Sequence, residues 1–302
     1  MREETPNDPL IDSTLVRHLV AAQFPQWKDL SIRQVVPGGV DNRTFRLGEN
    51  MLVRMPSALK YMLQVEKEQQ WLPKLAPWVS LPIPVPLGLG LPAFGYPWKW
   101  SIYSWISGET ASSAHISTLS DFATTLAQFL LSLHHIDPTN GPLPGPHSFY
   151  RGGELATYDT QIRHAIAILN NTINANAVME VWETALTTCW KSASVWLHGD
   201  VSPGNLLVEE GRLRGVIDFG QLTVGDPACD LAIAWTLFKG ESREVFRSLR
   251  PLDAGTWARG RAWTLWKALI ICAGLTHSNT VEVANSWRII DEVLLDHRRN
   301  AL

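Results

Sequence analysis

Between Asp12 and Val20 the apolar residues Leu15, Val16, Leu19 and Val20 fall on one face of a helix, and Asp12-Ser13 ahead of them supplies a capping side chain. The texture then shifts to short runs of alternating apolar and polar positions: Ser31 to Val36, Arg43 to Leu47 and Met51 to Met55. The turn-forming stretches PGGVDN and GEN separate them, which predicts three antiparallel strands joined by tight turns. Helical spacing returns over Tyr61 to Leu75, with Leu63, Val65, Leu72 and Leu75 in register. The following LPIPVPLGLGLP reads as a spacer, because a lone Pro-rich run is weak support for a docking motif. Trp98 to Ile106 reads as a last strand, ended by SGE. From Ser120 the periodicity is helical over Ser120–His135, Leu155–Leu169, Val178–Trp190, Pro227–Lys239, Thr256–Ala273 and Val281–His297, with a small hairpin at Asn205–Val208 and Leu213–Ile217. The predicted class is α+β: a small antiparallel-sheet lobe over residues 1–106, then a larger, mainly helical lobe over residues 107–302, with no internal repeat.

Composition narrows the partners. The 302 residues are 45% hydrophobic and 18% charged, in the ordinary globular range. A net charge of −3 and a pI near 6.3 give no basic field for nucleic acid, which is set aside as a partner. Cys189, Cys229 and Cys272 are an odd set without metal-ligand spacing, which fits a reducing cytoplasm. The opening MREETPNDPL lacks the basic and apolar regions of a signal peptide, and no apolar run reaches membrane-spanning length, so a soluble cytoplasmic protein without membrane or obligate protein partner is expected. Tryptophan is abundant, 14 in all, and Trp98, Trp100 and Trp105 read as packing more readily than as a stacking platform.

Candidate chemistry concentrates in LHGDVSPGNLLVEEGRLRGVIDFGQLTVGDPACDLAIAW, residues 197–235. His198-Gly199-Asp200 is followed five residues later by Asn205, and the predicted hairpin returns the chain to Asp218-Phe219-Gly220. Two oxygen ligands on one side of a hairpin suit a hard cation such as magnesium that also holds nucleotide phosphates. Asn205 and Asp218 fit that role, and Asp200 fits the positioning and deprotonation of an attacking hydroxyl. Taken singly, each of the three could be an Asx turn. Together they match HxDxxxxN followed by DFG, the phosphoryl-transfer pattern.

The segments HGDVSPGNLLV and GVIDFGQLTVGDPACDLA resemble the aminoglycoside phosphotransferase family, which has the protein-kinase-like two-lobed fold. Gly stands after the first His where protein kinases have Arg, GDxxxDLA directly follows the DFG-like turn, and there is no APE motif or room for an activation loop. The resemblance implies Asp200 as catalytic base, Asn205 and Asp218 on Mg2+, His198 as a brace for the loop and Asp230 as its buried anchor. Asp226 reads as a helix cap before Pro227, with lining of the substrate side as the other option. For the first lobe the resemblance implies an ATP site: Gly38, Gly39 and Asn42 in the turn over the phosphates, Arg54 where much of the family has Lys, and a helical Glu paired with it. Glu66 and Glu68 both qualify, and Glu68 is chosen because Leu72 and Leu75 follow it four and seven residues on. Adenine is expected against the hinge at Ser104, Trp105 and Ile106.

The implied reaction is ATP-dependent phosphorylation of a hydroxyl on a small molecule. The alternatives are a nucleotide-binding pseudoenzyme and a protein-kinase-like regulator. An aminoglycoside, another antibiotic, or a sugar or choline-like alcohol stays open as acceptor, since acidic and basic residues after Gly220 are about balanced. Trp257, Trp263 and Trp266, with Asp253 and Asp296, could shape the pocket or simply pack.

Overall fold

The computed structural model describes residues 9–36, 38–39 and 41–300. Helix α1 (Ser13–Gln23) starts where Asp12 Oδ1 accepts from Leu15 N at 2.8 Å, and it turns Val16, Leu19 and Val20 inward. Strands β1 (Ile32–Gln34), β2 (Asn42–Leu47), β3 (Met51–Pro56), β4 (Pro86–Gly90) and β5 (Trp100–Ser104) form an antiparallel sheet in the order β1-β2-β3-β5-β4. Alternate residues Phe45 and Leu47, Val53 and Met55, and Trp100 and Ile102 point to one face and close a small core with α1.

Helix α2 (Met62–Leu75) packs on β4 and β5. Its Trp71, Leu72 and Leu75 join Ile83 and Tyr103 in a second, larger core. That core continues past β6 (Glu109–Thr110), from Ala111 through α3 (Leu119–His134), α4 (Asp159–Leu169), α5 (Ala175–Leu186), β7 (Val195–Leu197), β8 (Leu206–Glu209), β9 (Arg212–Val216), β10 (Thr223–Gly225), α6 (Ile233–Thr236), α7 (Glu241–Ser248), α8 (Ala254–Cys272) and α9 (Thr280–Arg299). The rings of Trp71 and Trp196 meet across it, 4.8 Å apart between centres. Trp100, Trp182, Trp196 and Trp235 are fully buried, and Trp98 packs on the small core. No helix among the described residues is long and apolar enough to cross a membrane.

Several elements depart from the sequence expectation. The Pro-rich passage contains a strand, not only a spacer. As the edge of the sheet, β4 tolerates Pro86 at its first position. Its glycines leave room for rings: a Cβ on Gly88 would lie 2.6 Å from Phe24, and one on Gly90 would lie 1.9 Å from Trp100. Helix α5 begins earlier than periodicity predicts, because Asn174 caps it. It ends at Leu186 rather than Trp190, where the Thr187 and Thr188 hydroxyls donate back to the carbonyls of Thr184 and Ala185. The stretch Pro227–Lys239 is a 3-10 segment, Pro227–Ala232, followed by the single turn of α6. Arg243 ends it by donating to the carbonyls of Ala234 and Phe238, and so anchors α7, an element the apolar pattern does not signal.

Candidate active site

The antiparallel pair β7–β10 sets Leu197 opposite Thr223, so the chain leaving one strand and the chain entering the other emerge side by side. The hairpin β8–β9 spans the distance between them. The loop His198–Asn205 is gripped from below by Asp230, which is completely buried and accepts from the amides of His198 and Gly199, both at 2.8 Å. Gly199 has φ +86°, and a Cβ there would lie 2.4 Å from the Gln221 carbonyl oxygen, so the close approach requires glycine.

His198 links the loop to the DFG-like turn. Its Nε2 lies 3.0 Å from the Ile217 carbonyl and its Nδ1 accepts from Asp200 N at 3.1 Å, a pair of contacts that puts the ring proton on Nε2. Asn205 Nδ2 donates to the Asp200 carbonyl at 3.0 Å and to Asp200 Oδ2 at 3.3 Å. That leaves the Asn205 side-chain oxygen without a hydrogen bond among the described residues. Asp218 sits at φ +65°, a left-handed conformation that a non-glycine residue holds only when its surroundings impose it.

Arg54 on β3 imposes part of it. Its guanidinium donates to Asp218 Oδ1 at 2.6 Å and to Glu68 Oε1 on α2 at 3.2 Å, and Glu68 also accepts from the Tyr103 hydroxyl. Burial alone would raise the Asp218 pKa, but the charge and hydrogen bond of Arg54 outweigh it and hold the carboxylate below its usual range. Burial disfavours the Arg54 charge, yet Asp218 and Glu68 more than restore it. Glu66 pairs instead with exposed Lys99. A second tie runs from α2: Lys67 Nζ donates to the Gly220 carbonyl at 2.8 Å and to the His147 carbonyl at 3.0 Å.

These elements enclose a cleft of about 970 Å³. Asp200, Asn205, Asp218 and Arg54 line its middle; Gly38, Gly39 and Asn42 line one wall; Ser104, Trp105 and Ile106 line the hinge. Glu68 lies behind Arg54 and does not reach the cleft. Pro37 and Val40 of the predicted phosphate turn lie outside the described residues. At the hinge the fold already uses two amides, Ser104 N donating to the Val85 carbonyl and Trp105 N to the Asn50 carbonyl, both within 3 Å. The Ile106 amide has no backbone partner among the described residues, so it is the donor left for a ligand.

Asp226 accepts from Ala228 N at 3.1 Å as a cap, and it also takes Arg259 Nε of α8 at 2.6 Å. Of the residues suggested for the substrate side, only Trp263 reaches the cleft. Asp253 caps α8, Asp296 pairs with Arg247 and Arg261, and Trp257 and Trp266 are buried in packing. Among the charged groups in the cleft that sequence reasoning missed are Asp41, Arg151 and Lys267. Asp41 was within reach, since it stands in PGGVDN beside Asn42. Burial and the charges of Asp218 and Asp200 push its pKa up to about 6, against the Tyr61 hydrogen bond. Arg151 and Lys267 carry no local signal, because long-range packing alone brings them to the cleft.

Among the described residues no three His, Cys, Asp or Glu side chains gather closely enough to hold a metal by themselves. The donors at hand, the Asp218 carboxylate and the Asn205 amide oxygen, are the hard oxygens magnesium takes when phosphates and water complete its shell.

A small antiparallel sheet over a helical body, with a cleft between, is the protein-kinase-like fold, and comparison with known proteins agrees. The structure superposes on a GDP complex of an aminoglycoside 2'-phosphotransferase with a TM-score of 0.74 at 16% identity, covering 95% of this chain and 99% of that one. Residues 32–263 match the model of the phosphotransferase enzyme family, and the chain belongs to that family. It is 29% identical over 180 residues to the uncharacterized protein YcbJ of Bacillus subtilis, covering 57% of this chain and 53% of the relative. It is 30% identical over 143 residues to the aminoglycoside 3'-phosphotransferase of Escherichia coli, covering 45% and 51%. The matches thus span about half the length of these curated relatives.

Proposed function

We propose that the protein transfers the γ-phosphate of ATP to a hydroxyl of a small molecule. The observation that carries this reading is the convergence on one cleft of Asp200, Asn205 and Asp218, from a loop and a nearby turn, with Arg54 from a strand far away in sequence. In it, Ile106 N–H meets the base, Gly38 and Gly39 lie over the phosphates, and Arg54, oriented by Glu68, contacts them. Asn205 and Asp218 would hold Mg2+, which supplies charge neutralisation at the phosphates when bound. Asp200 orients the acceptor hydroxyl. The hydroxyl oxygen bonds to the γ-phosphorus as the bridging bond to ADP breaks, and its proton passes to Asp200. The family and the aminoglycoside phosphotransferases it resembles support a hydroxylated small molecule, antibiotics included, as acceptor.

The test is ADP release from magnesium ATP, or GTP, across a panel of hydroxylated compounds, with a generic protein as control. Release stimulated by small alcohols alone supports the reading. Nucleotide binding without stimulated release by any compound points to a pseudoenzyme, and stimulation by the protein alone points to a protein kinase.

A further inference from the structure

The acceptor side of the cleft holds two cations, Arg151 and Lys267, that form no ion pair among the described residues. Helix α8 lays Trp263, Lys267 and Ile271, spaced four residues apart and so on one face, along the wall that faces Asp200. Lys267 is open to the cleft and makes no hydrogen bond or ion pair with any described residue. Arg151 is only 7% exposed. Its guanidinium carbon lies 4.9 and 4.8 Å from the ring centres of Trp263 and Trp266. Its Nε donates to the Gly199 carbonyl at 3.1 Å, while its Nη1 is buried without a partner. The indole Nε1 of Trp263, itself 3% exposed, is also buried and unpartnered. A buried guanidinium without an anion is costly, as is an orphaned N–H.

No carboxylate among the described residues forms an ion pair with either cation. Besides Asp200, Asp41 and Glu282 line the cleft without touching Lys267, and Glu282 Oε2 accepts from Asn279 N at 2.8 Å in the capping box of α9. Burial lowers the Lys267 pKa and Arg151 adds to the lowering, against the charges of Asp200, Asp41 and Glu282. Two cations thus face one space in which a ligand anion would stabilise both.

We propose that Lys267, Arg151 and the Trp263 indole form an anion-binding subsite beside Asp200, and that the acceptor is a hydroxylated molecule carrying a carboxylate or phosphate rather than a polycation. This inference rests on the phosphotransferase reading and narrows its acceptor.

The protein loaded with ADP and magnesium is titrated calorimetrically with two matched series. One is glucuronate, glucose 6-phosphate, glucose and glucosamine; the other is 4-hydroxyphenylacetate, 4-hydroxybenzyl alcohol and tyramine. In at least one series the anion should bind about tenfold or more tighter than its neutral and cationic counterparts, the scale of a charge-assisted contact. Glucuronate against glucose 6-phosphate separates the two anion types. Lys267→Met should abolish the preference while leaving the Kd of ADP and of a non-hydrolysable ATP analogue unchanged. The inference is overturned if neither series favours its anion, or if the preference survives Lys267→Met. It also fails if that variant weakens only the ATP analogue, which would assign Lys267 to the γ-phosphate. A protein that binds no nucleotide would overturn the phosphotransferase reading itself, an outcome distinct from the others.

Discussion

Asp200 and Asp218 stand 18 residues apart in sequence, yet each is held by a different set of groups. The Asp200 carboxylate touches Asn205 and its amide touches the His198 ring; Asp218 is clamped by Arg54. The two should therefore fail differently. Asp200→Asn keeps shape but removes the proton acceptor, so phosphate transfer should fall about a hundredfold or more with nucleotide binding retained. Asp218→Asn removes charge from the magnesium side and from Arg54, so nucleotide affinity in magnesium should fall together with turnover, and added magnesium should restore part of it. Nucleotide titrations with and without magnesium, beside a transfer assay, check both, and identical defects would remove the division of roles. At this scale the sequence was most informative where chemistry is local. HxDxxxxN and DFG put three site residues within 19 positions, and the leucine spacing on α2 favoured Glu68, which does take Arg54. Arg151 and Lys267 were illegible because nothing around them in sequence differs from an ordinary arginine or lysine.

Elements were legible where burial is one-sided. Helices with several turns of apolar periodicity and even the three-residue β1, buried on one face, were foreseen, whereas β7 and β10, covered on both faces, show no alternation and were not. β4 was hidden by its prolines and glycines, and its glycines have a measurable consequence. Gly90→Ala would drive a methyl into the Trp100 ring, so denaturant unfolding should show a loss of about 1 to 3 kcal/mol. Helix α2 makes a second prediction through Lys67. Burial lowers its pKa to about 7 from 10.5. Below pH 7 both folded and unfolded chains carry the proton, and the folded state bears the full desolvation cost. Between about pH 7 and 10.5 the unfolded chain alone keeps it, so this group makes stability rise with pH across that window. Thermal unfolding at pH 6.5 and 8.5 should show the rise in the native protein and a flatter response in Lys67→Met. An unchanged slope would mean that Lys67 is not the group titrating.

At the scale of the whole molecule, the sequence pointed to a division near residue 107. The packing follows a different line. Trp71, Leu72 and Leu75 of α2, with Ile83 and Tyr103, belong to the same apolar core as α3 and β7, and Trp71 meets Trp196 with its ring tilted by 57°. Periodicity marks which face of a helix is apolar but not which neighbour covers it, so this crossing could not be read beforehand. It bears on how the molecule can be taken apart. A chain opened near residue 107 would leave two pieces, each presenting part of one apolar surface to water. Co-expressed, residues 9–106 and 107–300 should find each other and co-purify, while the first piece alone should aggregate. Two pieces that each stayed soluble and monomeric would show that the shared core is dispensable. What the chain joins covalently at the hinge is thus also joined by its interior, and the boundary drawn along the sequence is not a seam along which the protein separates.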